Sequence, residues 1–150
     1  VWNKEFKKTA DAQGKTRQEI LTLASIIEAE SPVEEEKYIV SGVYLNRLKR
    51  GWKLEADPTV AYINNKKGRL LHSDLKNESA YNTYLNYGLP PGPINSPSIS
   101  SIKAALNPKK HKYMFFVAVG DGSGKHLFAE NYKEHLRNVA KFKKARKIRE

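Results

Sequence analysis

The stretch LTLASIIEAES, Leu21–Ser31, decides how the rest of this chain is read. Its pattern is apolar and helical, yet it carries Glu28 and Glu30 where a core would prefer leucine. Thr16 followed by Glu19 fits a capping box and predicts a helix from about Arg17 to about Glu30. On a helical wheel with Ile27 at zero, Ile20, Leu23, Ala24 and Ile26 fall within about 100°, and Leu21 at about 120°. Glu28 lies at about +100° and Glu30 at about −60°, while Thr22 and Ser25 fall on the opposite, polar side. Both acids therefore lie inside the apolar arc, and at least one should face a semi-buried environment. Desolvation disfavours the charged carboxylate. A glutamate raised from about 4.3 towards about 6 holds a proton near neutral pH and can donate it, as a general acid must. The same placement also fits a glutamate paired with a lysine or arginine, or one frayed into solvent at the helix end.

Outward from this helix, Ser31-Pro32-Val33-Glu34 predicts a restart, with Ser31 as N-cap and Pro32 at the first position. Glu34, Glu35 and Glu36 suit the positive end of the new helix. Val40, Val43, Tyr44 and Leu48 give it an apolar stripe, and Gly51 reads as its left-handed stop. Asp57-Pro58 predicts another cap and first position, opening a short helix through Ile63. Tyr81 to Pro97 holds four of the seven prolines and reads as an ordered loop without regular structure. A short helix is expected over 100–106, closed by Asn107-Pro108. The runs KYMFFVAV and KHLFAE flank GDGSG and read as a β-hairpin, and a basic helix is expected over about 131–147. The fold class is α+β: helices first, then a small antiparallel sheet, then a helix.

The 150 residues suit one domain, and no apolar run is long enough to span a membrane. The polar start has no signal-peptide core and no initiating Met, which predicts a piece of something longer. The absence of cysteine excludes disulfides and thiolate chemistry. Net charge is +11, of which +6 falls on the last eighteen residues. Such a stripe fits a solvated helix face, or attraction to nucleic acid, anionic lipid or an acidic wall polymer. The four histidines, His72, His111, His126 and His135, lack close ligand spacing, so no metal or other cofactor is expected. No nucleophile elbow or phosphate loop is present; GDGSGK reads better as a hairpin turn. Asp57 reads as a helix cap. Tyr81, Asn82, Thr83, Tyr84 and Tyr87 form a polar-aromatic patch that suits either a sugar groove or the anchoring of a proline-rich loop.

Taken together and in order, five stretches resemble the YceG-like (MltG-type) endolytic murein transglycosylases. They are LASIIEAES (Leu23–Ser31), VYLNRLKRGWKLEADPTVAY (Val43–Tyr62), YNTYLNYGLPPGPINSPS (Tyr81–Ser98), SIKAALNP (Ser101–Pro108) and YMFFVAVGDGSGKHLFAENYKEH (Tyr113–His135). The resemblance implies that Glu28, ending A-S-I-[VI]-E, is the catalytic acid/base, with Glu30 as a second acid of the motif. Asn46 and Arg47 match N-R-L, Asp57 and Thr59 match D-P-T, and Tyr81, Asn82, Thr83 and Tyr84 match Y-N-T-Y. With Glu30 and Glu55, these are the expected substrate-binding residues. Glu55 stands where the family usually has glutamine; it would raise the pKa of Glu28 if close, or merely replace a sugar-binding amide.

The implied substrate is the peptidoglycan glycan strand, cut at the β-1,4 link from N-acetylmuramic acid to N-acetylglucosamine and closed to a 1,6-anhydromuramyl end. The resemblance also implies a bacterial cell-envelope enzyme at the outer face of the cytoplasmic membrane, with peptidoglycan synthases as candidate partners. The family's N-terminal membrane anchor and LysM-like domain are expected to lie outside this chain, so that residues 1–150 form a single catalytic domain. A hydrolytic muramidase using Glu30, Glu55 or Asp57 as second carboxylate is the rival. A basic polyanion-binding module is more remote, and no nucleic-acid motif supports that partner.

Overall fold

The computed structural model describes residues 2–149, with side chains through Lys147. Its first helix, α1 (Lys4–Ala12), is one that the polar N-terminus did not suggest. Asn3 caps it by accepting from the Phe6 N–H at 2.8 Å, and Phe6 and Ala10, one turn apart, are buried. The capping box then opens α2 (Arg17–Glu30) as expected, with Thr16 and Glu19 each accepting from the other's N–H. What the wheel did not show is that α2 is buried on nearly every side. Thr22 and Ser25, expected on a polar face, are 1% and 0% exposed. The proline-rich loop covers Ser25: the Ile94 N–H donates to Ser25 Oγ at 3.0 Å, and the Asn95 amide donates to the Ser25 carbonyl at 2.8 Å. The hydroxyls of Thr22 and Ser25 donate back to carbonyls of α2, so burial leaves them satisfied.

The next helix, α3 (Glu34–Lys49), begins later than expected, with Val33 at the cap and no side-chain capping bond. Ser31 instead closes α2 and donates to the Val33 carbonyl. Pro32 is used at the corner between the helices, where a Cβ on Gly124 would come within 2.7 Å of its ring. The far end is a Schellman stop: Gly51, at φ 70°, donates to Leu48, and Trp52 donates to Arg47. Helix α4 (Asp57–Ile63) has Ala56 as its cap, so Asp57 sits inside the first turn rather than capping it, and its carboxylate is left for other partners. A single 3-10 turn follows at Asp74–Lys76.

Residues 81–97 form the expected ordered loop without helix or strand, and α5 (Ile99–Leu106) follows with Ser98 as cap. Strands β1 (Phe115–Ala118) and β2 (His126–Ala129) pair antiparallel, with Phe115 opposite Ala129 and Ala118 opposite His126. Helix α6 (Tyr132–Arg149) packs across both strands. Among the described residues the order is thus helices, a two-stranded sheet and a helix, an α+β fold. Helix α2 is the hub, against α5 along its length and flanked by α1, α3 and α4. The core gathers Ile20, Ile26, Ile27, Tyr44, Leu54 and Leu106 around it. No described helix is long and apolar enough to cross a membrane. The C-terminal end of α2 carries both glutamates, one towards α5 and the other towards α3, α4 and the hairpin.

Candidate active site

The two glutamates leave α2 in different directions. Glu28 faces the start of α5. Its Oε1 accepts the Ser98 N–H at 2.8 Å and the Ser101 hydroxyl at 2.9 Å. The Ser98 side chain and backbone, then Ser101 and the Lys37 ammonium, hold its pKa below the usual carboxylate value. Glu28 is therefore an ionised anchor that ties α2 to the positive end of α5.

Glu30 is in the opposite condition. Its side chain is 19% exposed, and its pKa is pushed up to about 7. Burial is the main cause, the nearby Asp57 carboxylate adds to it, and the Tyr44 hydroxyl opposes it weakly. Tyr44 is itself buried, and its own ionisation is suppressed by burial and by Glu30. The proton-holding environment expected somewhere on this helix is thus at Glu30.

Glu30 and Asp57 line two cavities at once. A larger one, about 680 Å³, runs past Pro58 and Tyr62 to Lys66, Lys67 and Arg69, with Ile94 and Asn95 on its other edge. A smaller one, about 290 Å³, is walled by Tyr44, Arg47, Glu55, Tyr84, Phe115 and His135. The pair of carboxylates therefore stands where two adjoining hollows meet, as a group acting on a bond between two bound units would. Among the described residues, no cluster of His, Asp or Glu is arranged to hold a metal ion.

The other expected residues divide into wall and scaffold. Tyr84 donates its hydroxyl to Asp57 Oδ1, and burial and that carboxylate raise its pKa, so it stays a phenol. Arg47 reaches the smaller cavity but is mostly used to join elements. Its Nε donates to the Met114 carbonyl at 2.7 Å, its Nη1 donates to the Lys53 carbonyl at 3.1 Å, and its plane lies against Phe115. Glu55, on left-handed backbone at φ 49°, is half exposed and 3.6 Å from Arg47. It lines the smaller cavity rather than approaching Glu28.

Thr59, Thr83 and Asn82 are fully buried clamps. Thr83 Oγ1 accepts the Ala56 N–H and meets Thr59 Oγ1 at 2.9 Å, and Asn82 donates to the Leu75 and Asn77 carbonyls. They lock the loop to α4 and do not open onto either cavity. Asn46 joins α3 to the His111 and Tyr113 carbonyls, and Tyr81 stacks at a tilt on Tyr62. Neither lines the hollows that Glu30 commands.

The residue that sequence reasoning passed over is His126. It was weighed only as a metal ligand, yet its Nε2 lies 4.0 Å from Glu30 Oε1 and its Nδ1 lies 2.9 Å from Glu36 Oε1. Glu36 was read as a helix-dipole acid. Phe115 and Tyr132, which the sequence shows only as strand and helix residues, form the far wall of the smaller cavity with His135, another of the four histidines. Burial, then the Arg47 charge, holds His135 below its ordinary pKa.

The sequence profile of the YceG-like family matches residues 1–141. The chain belongs to the YceG-like family. Among curated YceG-like relatives, an endolytic murein transglycosylase of Bacillus subtilis is 44% identical over 124 residues, 82% of this chain and 34% of that protein. An endolytic murein transglycosylase of Streptococcus pneumoniae is 35% identical over 141 residues, 90% of this chain and 25% of that protein. The chain thus spans between a quarter and about a third of the curated relatives it matches. A crystal structure of a YceG-like protein from Listeria monocytogenes superposes with a TM-score of 0.82 at 36% identity, over 89% of this chain and 43% of that one.

Proposed function

We propose that this chain is the catalytic portion of an endolytic murein transglycosylase and that Glu30, rather than Glu28, is its acid/base. The observation that carries the reading is the place of Glu30 at the junction of two cavities and beside a second carboxylate, where burial and Asp57 push its pKa up to about 7. The relatives' printed activity supplies the substrate class, peptidoglycan. The setting is accordingly the bacterial cell envelope.

Glycan units would occupy the two hollows, with the β-1,4 bond from N-acetylmuramic acid to N-acetylglucosamine over Glu30. Protonated Glu30 donates to the bridging oxygen, the C1–O bond breaks, and an oxocarbenium-like centre forms. Asp57 keeps a negative charge close to that centre while Tyr84 holds its orientation. The muramyl 6-hydroxyl then attacks C1, and Glu30, now a carboxylate, takes its proton. Glu30 ends as it began and the product is a 1,6-anhydromuramyl end. The attacking group is tethered to the reacting carbon, so its high effective concentration removes the need for a carboxylate that delivers water. One group must act as acid and then as base, which favours a pKa near the working pH.

A second reading rests on Asp57. A second carboxylate beside the acid is also what a hydrolytic muramidase uses. Digestion of purified glycan strands, with the new ends read by mass spectrometry, separates the two. Ends lighter by one water, absent with Glu30→Gln, are expected. Reducing ends would make the chain a hydrolase with Asp57 as its second group. Full activity in Glu30→Gln would remove the acid assignment.

A further inference from the structure

His126 reaches Glu30, and Glu36 reaches His126, through side chains that the reaction above does not use. Glu36 stands in the first turn of α3 and His126 opens β2, ninety residues away in the chain. The Glu36 carboxylate holds the histidine by backbone and ring together. The His126 N–H donates to Oε1 at 3.0 Å and to Oε2 at 3.1 Å, and the ring Nδ1 lies 2.9 Å from Oε1. Both side chains are largely enclosed, at 14% and 6% exposure. The ring is further fixed edge-on against Phe116. A carboxylate only accepts, so Nδ1 carries the hydrogen and Nε2 is left as the variable position. That nitrogen faces Glu30 Oε1 at 4.0 Å.

We propose that Glu36 and His126 form a positioning pair for Glu30: Glu36 fixes the imidazole, and His126 presents Nε2 to the Glu30 carboxyl as the site with which it exchanges its proton. The proton is carried either on Glu30 or on His126 Nε2, and in the second case the imidazolium lies between two carboxylates, Glu36 and Glu30. A side-chain movement of about 1 Å brings the two atoms into hydrogen-bond contact. The other groups facing Glu30 are Asp57 from α4 and Tyr44 from α3, with Arg47, Glu55, Tyr84 and His135 farther around the smaller cavity.

The arrangement answers a need of the chemistry. Burial and Asp57 both favour the protonated acid, and an acid held too firmly would be a poor base in the second half of the reaction. A neighbouring imidazolium, held in place by Glu36, opposes that drift and keeps both forms within reach.

The proposal rests on Glu30 being the acid/base, and the test separates the two claims. The pH dependence of kcat is compared for the unaltered chain, Glu36→Gln and His126→Gln, and the His126 ring is titrated by nitrogen NMR in the unaltered chain and in Glu30→Gln. Glu36→Gln retains an oxygen acceptor for the His126 N–H and keeps the fold. Both variants should move the alkaline limb of kcat upward, by about one pH unit, with KM little changed. A purely structural role would lower the rate without moving the limb. In Glu30→Gln the His126 titration should move down, because the carboxylate facing Nε2 has gone. Coincident alkaline limbs in all three proteins, or an unmoved His126 titration in Glu30→Gln, overturns the pair. An active Glu30→Gln with a shifted His126 titration would retain the pair and remove the acid assignment. An inactive Glu30→Gln with an unshifted titration would do the reverse.

Discussion

Glu28 and Glu30 are separated by one residue at the end of one helix, and their surroundings differ in almost every electrostatic respect. Glu28 points at the start of α5, where an N–H and a hydroxyl donate to it and Lys37 stands near. Glu30 points into the space between α3, α4 and the hairpin, where burial and Asp57 work against its charge. A rotation of about 200° around the helix is enough to turn an ionised anchor into a proton carrier. Proximity in sequence therefore says little about whether two acids share a chemistry; what decides is which element each side chain meets.

The most direct way to break this comparison is to neutralise each acid in turn. Glu30→Gln should lower kcat by about 10³-fold, the scale of losing a positioned general acid. Glu28→Gln keeps an oxygen to accept from Ser98 and should lose less than about tenfold. Steady-state cleavage of glycan strands reads both. If Glu28→Gln abolishes turnover and Glu30→Gln does not, the roles drawn from the environments are inverted.

Stability should respond in the opposite sense. The folded pKa of Glu30, about 7, lies above its unfolded value of 4.5, so its contribution is fully present below pH 4.5 and is lost as pH rises through 7. The loss at pH 8 amounts to about 3 kcal/mol. Glu30→Gln removes that titration and should melt higher than the unaltered chain at pH 8, with the advantage gone near pH 4.5. The measurement is Tm across that range. An enzyme that becomes more stable as it loses its activity is expected where an acid is held in an unfavourable setting.

Glu28 should give the mirror image on a smaller scale. Its folded pKa is depressed, so its stabilisation is present above the unfolded value and fades as pH falls through the folded one. Glu28→Gln should cost about 1 kcal/mol at neutral pH, with the difference closing in acid. A urea titration at pH 7 and at pH 3 measures it. A cost that persists unchanged at pH 3 would mean that packing, not charge, ties α2 to α5.

How much of this could be read from the sequence follows from which interactions are local. The capping box at Thr16 and Glu19, the Gly51 stop and the glycine-rich hairpin are set by neighbours in the chain, and they stand where the pattern put them. The wheel set both acids inside the apolar arc, Glu30 nearer than Glu28 to the buried direction of Ile27. The family motif had directed attention to Glu28. What the wheel could not carry was the covering of Ser25 by Ile94 and Asn95, about seventy residues away. Nor could it show that Asn82 and Thr83 spend their polar groups on backbone rather than on a ligand. The His126–Glu36 pair escapes the sequence for the same reason: each residue looks ordinary in its own element, and only the packing of the hairpin on α3 brings His126 between Glu36 and Glu30. Helix α1 was missed on other grounds, because two buried residues among exposed ones make a faint stripe; Asn3, with Phe6 and Ala10, was the available signal.

The smallest expected effect sharpens the comparison at its edge. Glu55 is the carboxylate that stands where the family usually carries glutamine, and it lines the same small cavity as Glu30 and Asp57. Its side chain is 49% exposed and lies 3.6 Å from Arg47, so water and that guanidinium screen it from the buried acid. Glu55→Gln should therefore change stability by less than about 0.5 kcal/mol and move the alkaline limb of kcat by no more than about 0.3 pH unit. A larger downward move of that limb would mean that Glu55, like Asp57, helps to keep the proton on Glu30. The distinction would then lie between one carboxylate neighbour and two, and burial alone would explain less of why Glu30 differs from Glu28.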